Sequence, residues 1–135
     1  MPTKILNVRT PSHTTFINIT REVKAFVEGT GIREGICVIY VPHTTAAVFI
    51  NEGADPDVVR DIAYKLNQLV EWDDPNYRHM EGNSAAHIKS AIIGNSRVVP
   101  IVDGKLTLGT WEAIFLAEFD GPRTRKVIVQ VIGEK

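Results

Sequence analysis

The C-terminal third of the chain breaks into short apolar runs separated by turn dipeptides, and this pattern limits the fold more than any other. Residues 97–102, 106–108, 111–119 and 125–132 alternate or run apolar, with Asp103-Gly104 and Gly121-Pro122 between them. Turns of this kind at hairpin spacing reverse the chain, so segments adjacent in sequence become antiparallel neighbours. Upstream, residues 4–9 and 14–20 carry β-branched residues in partial alternation around Pro11-Ser12-His13, which predicts a strand pair. Residues 35–41 are apolar on both faces and predict a central strand, followed by another at 46–50. Helical signals fall between the strands. Thr20 is placed to cap a first helix, with Val23, Phe26 and Val27 on one stripe before Gly29-Thr30-Gly31 ends it. Asp55-Pro56-Asp57 opens a longer helix whose buried stripe is Val58, Val59, Ile62, Leu66 and Leu69. The polar and aromatic stretch 71–82 reads as a loop, and Asn83-Ser84 starts a third helix that runs to about Ile93 and stops at Gly94-Asn95. The expected fold is α+β: one domain over residues 1–135, a largely antiparallel sheet packed with three helices.

Length and charge narrow the functional classes. The chain has 135 residues, enough for one core that buries about two-thirds of the unfolded surface without disulfides or a structural metal. Fifteen Lys and Arg against sixteen Asp and Glu leave a net charge of −1, far from the basic excess that binds a phosphate backbone, so no nucleic-acid partner is expected. The longest apolar run, 36–41, is far short of the roughly twenty residues a membrane-spanning helix needs. Met1-Pro2-Thr3-Lys4 leads into an alternating segment with no apolar leader, and the lone Cys37 has no internal partner. A cytoplasmic location is expected, with Cys37 as a core residue.

Three of the four histidines, His43, His79 and His87, stand beside small polar residues at element ends, where sites are usually built. Imidazole can ligate a metal, move a proton near neutral pH or bind an oxyanion, and the spacing selects none of these. His79 and His87 are not at the one-turn separation of the helical zinc motif. His43 is followed by the hydroxyls of Thr44 and Thr45. Asn83 and His87 lie one helical turn apart at a helix start, where free N–H groups make an anion site, with Ser84 between them. Glu52, Asp55 and Asp57 cluster after a strand. Helix capping accounts for the two aspartates, which leaves Glu52 as the functional candidate. Near the C-terminus, Gly109 beside Trp111 suggests close backbone approach, and Asp120 with Arg123 forms a charged turn.

Taken together, Pro42-His43-Thr44-Thr45-Ala46, Ile50-Asn51-Glu52-Gly53-Ala54-Asp55-Pro56-Asp57-Val58, Tyr77-Arg78-His79, Ala86-His87-Ile88-Lys89, Leu108-Gly109-Thr110-Trp111 and Glu118-Phe119-Asp120-Gly121-Pro122-Arg123 closely resemble the YjbQ-like family. The resemblance runs over nearly the whole chain in the same order. It implies an α+β homotrimer and a secondary thiamine-phosphate synthase activity, which joins an aminopyrimidine diphosphate ester to a thiazole phosphate and releases pyrophosphate. Carried over, the pattern points to His43, Glu52, Asp55, Asp57, His79 and His87, with Asn83 a looser match. On this reading His43, His79, His87 and Glu52 are catalytic, while Thr44, Thr45, Asn83, Ser84 and Arg123 bind the substrate anion. His43, His79, His87, Glu52 and Asp55 are the candidate ligands of a divalent metal, magnesium for a transferase. Two departures stand out: Glu112 replaces the family's usual Gln and adds a charge near the expected site, and Ala117 replaces a frequent Cys, which argues against a thiol mechanism. The same histidines and carboxylates also suit a zinc-dependent hydrolase. A non-enzymatic alternative is a trimeric binding module for a small phosphorylated metabolite.

Overall fold

The computed structural model describes residues 2–135, so Met1 of the opening segment lies outside the described residues. In chain order the elements are β1 (Thr3–Arg9), β2 (Thr15–Asn18), α1 (Thr20–Gly29), β3 (Glu34–Tyr40), β4 (Ala46–Glu52), α2 (Pro56–Leu69), α3 (Ser84–Ile93), β5 (Ser96–Val102), β6 (Lys105–Leu106), β7 (Glu112–Glu118) and β8 (Thr124–Glu134). The α+β class, the three helices and the antiparallel pairing agree with the expectation, but the strands form two sheets rather than one. The larger runs β1-β8-β3-β5-β6 and the smaller β2-β7-β4.

This division corrects two expected pairings. β1 and β2 do not pair with each other: β1 pairs with β8, Val8 opposite Arg125, and β2 pairs with β7, Phe16 opposite Ala117. Alternation reports which face a residue takes and says nothing about a distant partner. Gly121-Pro122 likewise connects β7 and β8 across the two sheets and closes no hairpin. The crossing is tight enough to need glycine, since a Cβ on Gly121 would lie 2.4 Å from the Ser12 carbonyl oxygen. Asp103-Gly104 does close the β5–β6 hairpin, with φ of 52° and 79° as a type I′ turn requires.

Three layers result. Cys37, Ile39, Val99, Ile101, Val127, Val129 and Val131 on the large sheet pack against Val48, Ile114 and Leu116 on the small one, and α1 adds Val23 and Val27 to that cluster. The other face of the small sheet carries Ala47, Phe49, Ala113, Phe115, Ala117 and Phe119. It packs against Val59, Ile62 and Leu66 of α2 and Ala86 and Ile93 of α3. Each fully buried Val or Leu contributes roughly 1.5–3 kcal/mol. Two-sided burial therefore belongs to β4 and β7 of the small sheet. β3 is central, as expected, but only its Cys37–Ile39 face is covered, and Ile36 and Tyr40 remain 38% and 40% exposed.

The helices follow the sequence with three changes. Asp55 caps α2, its Oδ1 accepting the Asp57 N–H at 2.9 Å, and Pro56 takes the first helical position. Leu69, expected on the buried stripe, is 71% exposed at the end of α2. Thr20 is the first residue of α1 and does not cap it; its Oγ1 accepts the Ile114 N–H while Asn18 Oδ1 accepts the Thr20 N–H. Asn83 occupies the cap position of α3 without making a cap bond, because its side chain turns to Asp120. Among the described residues no helix is long and apolar enough to cross a membrane.

Candidate functional site

The β3–β4 connection and α3 flank an open pocket of about 310 Å³ lined by His43, Thr44, His87, Ser90, Ala91, Gly94 and Asn95. The α3 end is fixed against the strands by backbone and side chain. Ser90 Oγ donates to the Ala46 carbonyl at 2.6 Å, the Val48 N–H to Gly94 at 3.1 Å and the Val41 N–H to Asn95 at 2.8 Å. His79 reaches the group from the preceding loop, its ring edge-on to His87 at 5.3 Å between centroids. Sequence had placed these three histidines at separate element ends, and the fold brings them to one locality.

His43 is held in a defined state. Its Nε2 accepts the Lys126 N–H at 2.9 Å. Burial lowers its pKa from the usual 6.5, Arg125, Arg123 and Lys126 push in the same direction, and Glu118 opposes them. The ring is therefore neutral at pH 7 with its proton on Nδ1, so it offers a donor. This geometry departs from the expectation that His43 ligates a metal, because the Nε2 lone pair is already engaged and Nδ1 carries the proton. The nearby cations that add to the effect of burial on His43 also favour an anion beside it.

Behind His43 lies a polar group that sequence reasoning passed over. Glu118 and Arg125 form a fully buried ion pair, with Arg125 Nε on Glu118 Oε1 at 2.8 Å. Thr10 Oγ1 donates to Glu118 Oε1 and the Asp120 N–H to Oε2. Arg125 Nη2 also reaches the Thr45 carbonyl and Oγ1, at 3.1 and 2.8 Å. The pair thus ties the start of β8, and with it the Lys126 N–H, to the segment carrying His43. A period-two signal was available: Arg125 shares parity with Val127, Val129 and Val131, and Glu118 with Ile114 and Leu116, so both charges fall on the face between the sheets.

The remaining expected site residues divide clearly. Thr44 lines the pocket, but Thr45 is buried and committed to Arg125. Arg123 lies near enough to His43 to depress its pKa, yet its guanidinium is held by Asp120 at 3.2 Å. Asn83 Nδ2 donates to the same Asp120 at 2.9 Å, while its Oδ1 is buried without a partner. Ser84 is half-buried at the helix start and lines no part of the histidine pocket. The histidine pocket does not lie at the α3 N-terminus: it flanks the later turns and Gly94-Asn95, where the helix dipole disfavours an anion. Glu52 is the last residue of β4, about 20 Å from Ala46 at the strand rise, and Asp55 follows it. There Glu52 Oε2 accepts the Ala54 N–H, Asp55 caps α2, and Glu112 stands opposite Glu52 and accepts the Gly109 N–H. Glu112 thus adds its charge away from the histidines. Among the described residues no group of three or more His, Cys, Asp or Glu is arranged to hold a metal within one protomer.

Two antiparallel sheets backed by helices, with a histidine-lined polar pocket at one corner, define a class of small α+β proteins. The chain belongs to the UPF0047 protein YjbQ-like family, whose model matches residues 4–134. It is 48% identical to the UPF0047 protein YugU of Bacillus subtilis over 130 residues, covering 96% of this chain and 98% of that protein. A UPF0047 protein of Methanocaldococcus jannaschii is 47% identical, covering 95% and 92%. A YjbQ/UPF0047 family protein of Clostridium acetobutylicum superposes with a TM-score of 0.93 at 46% identity, covering 96% of this chain and 99% of that one. A YbjQ-like protein of unknown function from Sulfolobus solfataricus gives 0.95 at 37%, covering 98% and 97%.

Proposed function

We propose that the chain is a thiamine-phosphate synthase-type transferase that works as a homotrimer. The observation that carries this reading is His43, whose Nε2 accepts the Lys126 N–H and so leaves Nδ1 as the donor, beside Thr44 and His87 in one pocket, with Arg123, Arg125 and Lys126 near the ring. In the transfer, the thiazole nitrogen bonds to the exocyclic methylene carbon of the aminopyrimidine. The carbon–oxygen bond to the diphosphate breaks, and pyrophosphate leaves with the electron pair. Charge grows on the departing group, and fixed donors aimed at it lower the barrier. His43 Nδ1–H and the Thr44 hydroxyl supply such donors. His87, with His79 packed on its ring, is placed to hold the other phosphate oxygens.

The carboxylates do not fit an ion shared with these histidines inside one protomer, since Glu52 and Asp55 cap local backbone at the far end of β4. A magnesium ion that arrives on the diphosphate belongs to the substrate. The homotrimer is supported by the open face of the large sheet, where Ile36, Tyr40, Val98 and Ile132 form a contiguous apolar patch.

The test is a synthase assay with both substrates and magnesium. Wild type should form thiamine phosphate, and His43→Ala and His87→Ala should each lower kcat by about a hundredfold, the usual loss when one such donor is removed. Activity should also fall below pH 6.5 as His43 gains a proton, at a midpoint beneath that value because its pKa is depressed. Undiminished activity in both alanine variants overturns the assignment.

A further inference from the structure

On the other side of α3 from the histidine pocket lies a second pocket of about 320 Å³, lined by His13, Thr14, Asn67, Trp72 and Lys89. Lys89 is the unusual member. Only 3% of it is exposed, yet no carboxylate among the described residues stands at ion-pair distance. Its Nζ donates to Asn67 Oδ1 and lies 5.8 Å from the centre of the Phe119 ring. One hydrogen bond and one aromatic face leave two ammonium protons without acceptors. A buried cation ordinarily has a counter-charge, and burial here lowers the Lys89 pKa as expected when none is supplied. Nothing in the transferase reading uses this side chain.

We infer that this pocket binds a small planar carboxylate, its oxygens on Lys89 Nζ and the Asn67 amide N–H and its ring against Trp72. Each element of that ligand follows from the lining. The missing counter-charge is a single negative charge on one fixed cation. Asn67 Oδ1 is taken by Lys89, which leaves its NH₂ as a second donor. Thr14 is engaged by His13 Nδ1 at 3.0 Å and contributes shape. The His13 and Trp72 rings pack edge-to-face at 4.5 Å, which presents a rigid aromatic wall suited to a flat partner. The volume lies at the lower end of the range for small-molecule sites. The inference is independent of the transferase reading, since it uses different residues on a different side of α3.

The experiment is a titration of the full chain with benzoate, read by Trp72 fluorescence in a Trp111→Phe background and by calorimetry. Saturable binding is expected, weakened about tenfold or more in Lys89→Met, as fits loss of a charge-assisted hydrogen bond. Removing Lys89 also removes a buried charge, so circular dichroism is used to confirm that the variant folds. The surface variant Trp72→Ala provides a second test and should weaken binding without reaching the core. His87→Ala should leave benzoate affinity unchanged, which separates this site from the transferase pocket. Absence of saturable benzoate binding overturns the inference, as does wild-type affinity in both Lys89→Met and Trp72→Ala. Inorganic phosphate binding here in preference to benzoate overturns the carboxylate assignment.

Discussion

Glu118 joins the two sheets through a single carboxylate. Burial alone would raise its pKa, but the hydrogen bonds from Arg125, the Asp120 N–H and Thr10, together with the Arg125 charge, hold it below the ordinary 4.5. A group whose folded pKa is depressed adds stability that is complete above its unfolded value. That stability is lost as the pH falls through the folded value. The Glu118→Gln variant should therefore unfold at lower denaturant concentration at pH 7, losing about 3–5 kcal/mol because Arg125 is left buried and unpaired. Its stability should also change less than wild type's as the pH is taken from 5 towards 3. Urea titrations across that range measure both effects, and an unchanged midpoint at pH 7 would show that the pair is not coupled to folding. Both charges were legible from strand parity, since each occupies a position whose neighbours two residues away are buried. What sequence did not carry was the partner: Thr10, Thr45, Glu118 and Arg125 come from four separate segments, and only the assembled sheets bring them together.

At the scale of elements, helix ends were read well and strand partners poorly. The reason lies in the range of the signals. A cap is local: Asp55 Oδ1 meets a backbone N–H two residues on, so Asp-Pro-Asp suffices to start α2. Replacing Asp55 with Ala should cost about 1 kcal/mol in thermal or chemical unfolding, while Asn, an equally good cap, should retain nearly all of it. Loss of stability in both variants would point to a role for the charge beyond capping. Asn83 shows the limit of such signals, since it sits at the cap position of α3 but gives its side chain to Asp120, far along the chain. Strand pairing has no local signature of this kind. The alternation in β1 and β2 marked both as strands, yet their partners β8 and β7 lie near the other terminus. The site inherits the same division: His43, His79 and His87 were picked out one by one from their local settings. The separation of Glu52 and Asp55 from them follows only from the run of β4 between the two groups.

For the whole molecule, the unbalanced burial of the large sheet matters most. Its inner face is sealed by the small sheet, whereas its outer face presents Ile36 opposite Ile132 and Val38 opposite Val98, with Tyr40 in the next row. Val98 is 57% exposed at the middle of this patch. The apolar run at 35–41 had suggested a strand covered on both sides, and within one chain only one side is covered. The composition of β3 fits a strand whose second cover is another copy of the chain. A patch of this kind on a stable monomer is uncommon, and closed symmetric assemblies are the ordinary way to bury one. On the homotrimer proposed above, wild type should sediment as a trimer. Val98→Lys combined with Ile36→Lys should dissociate it, because each places a charge in a desolvated apolar contact while leaving the inner core untouched. The variant should keep the wild-type circular dichroism spectrum, since its two positions face away from the cluster built on Cys37, Ile39 and Val99. Sedimentation equilibrium decides the matter: a monomeric wild type, or a variant that remains trimeric, would mean that this face is not where the copies meet.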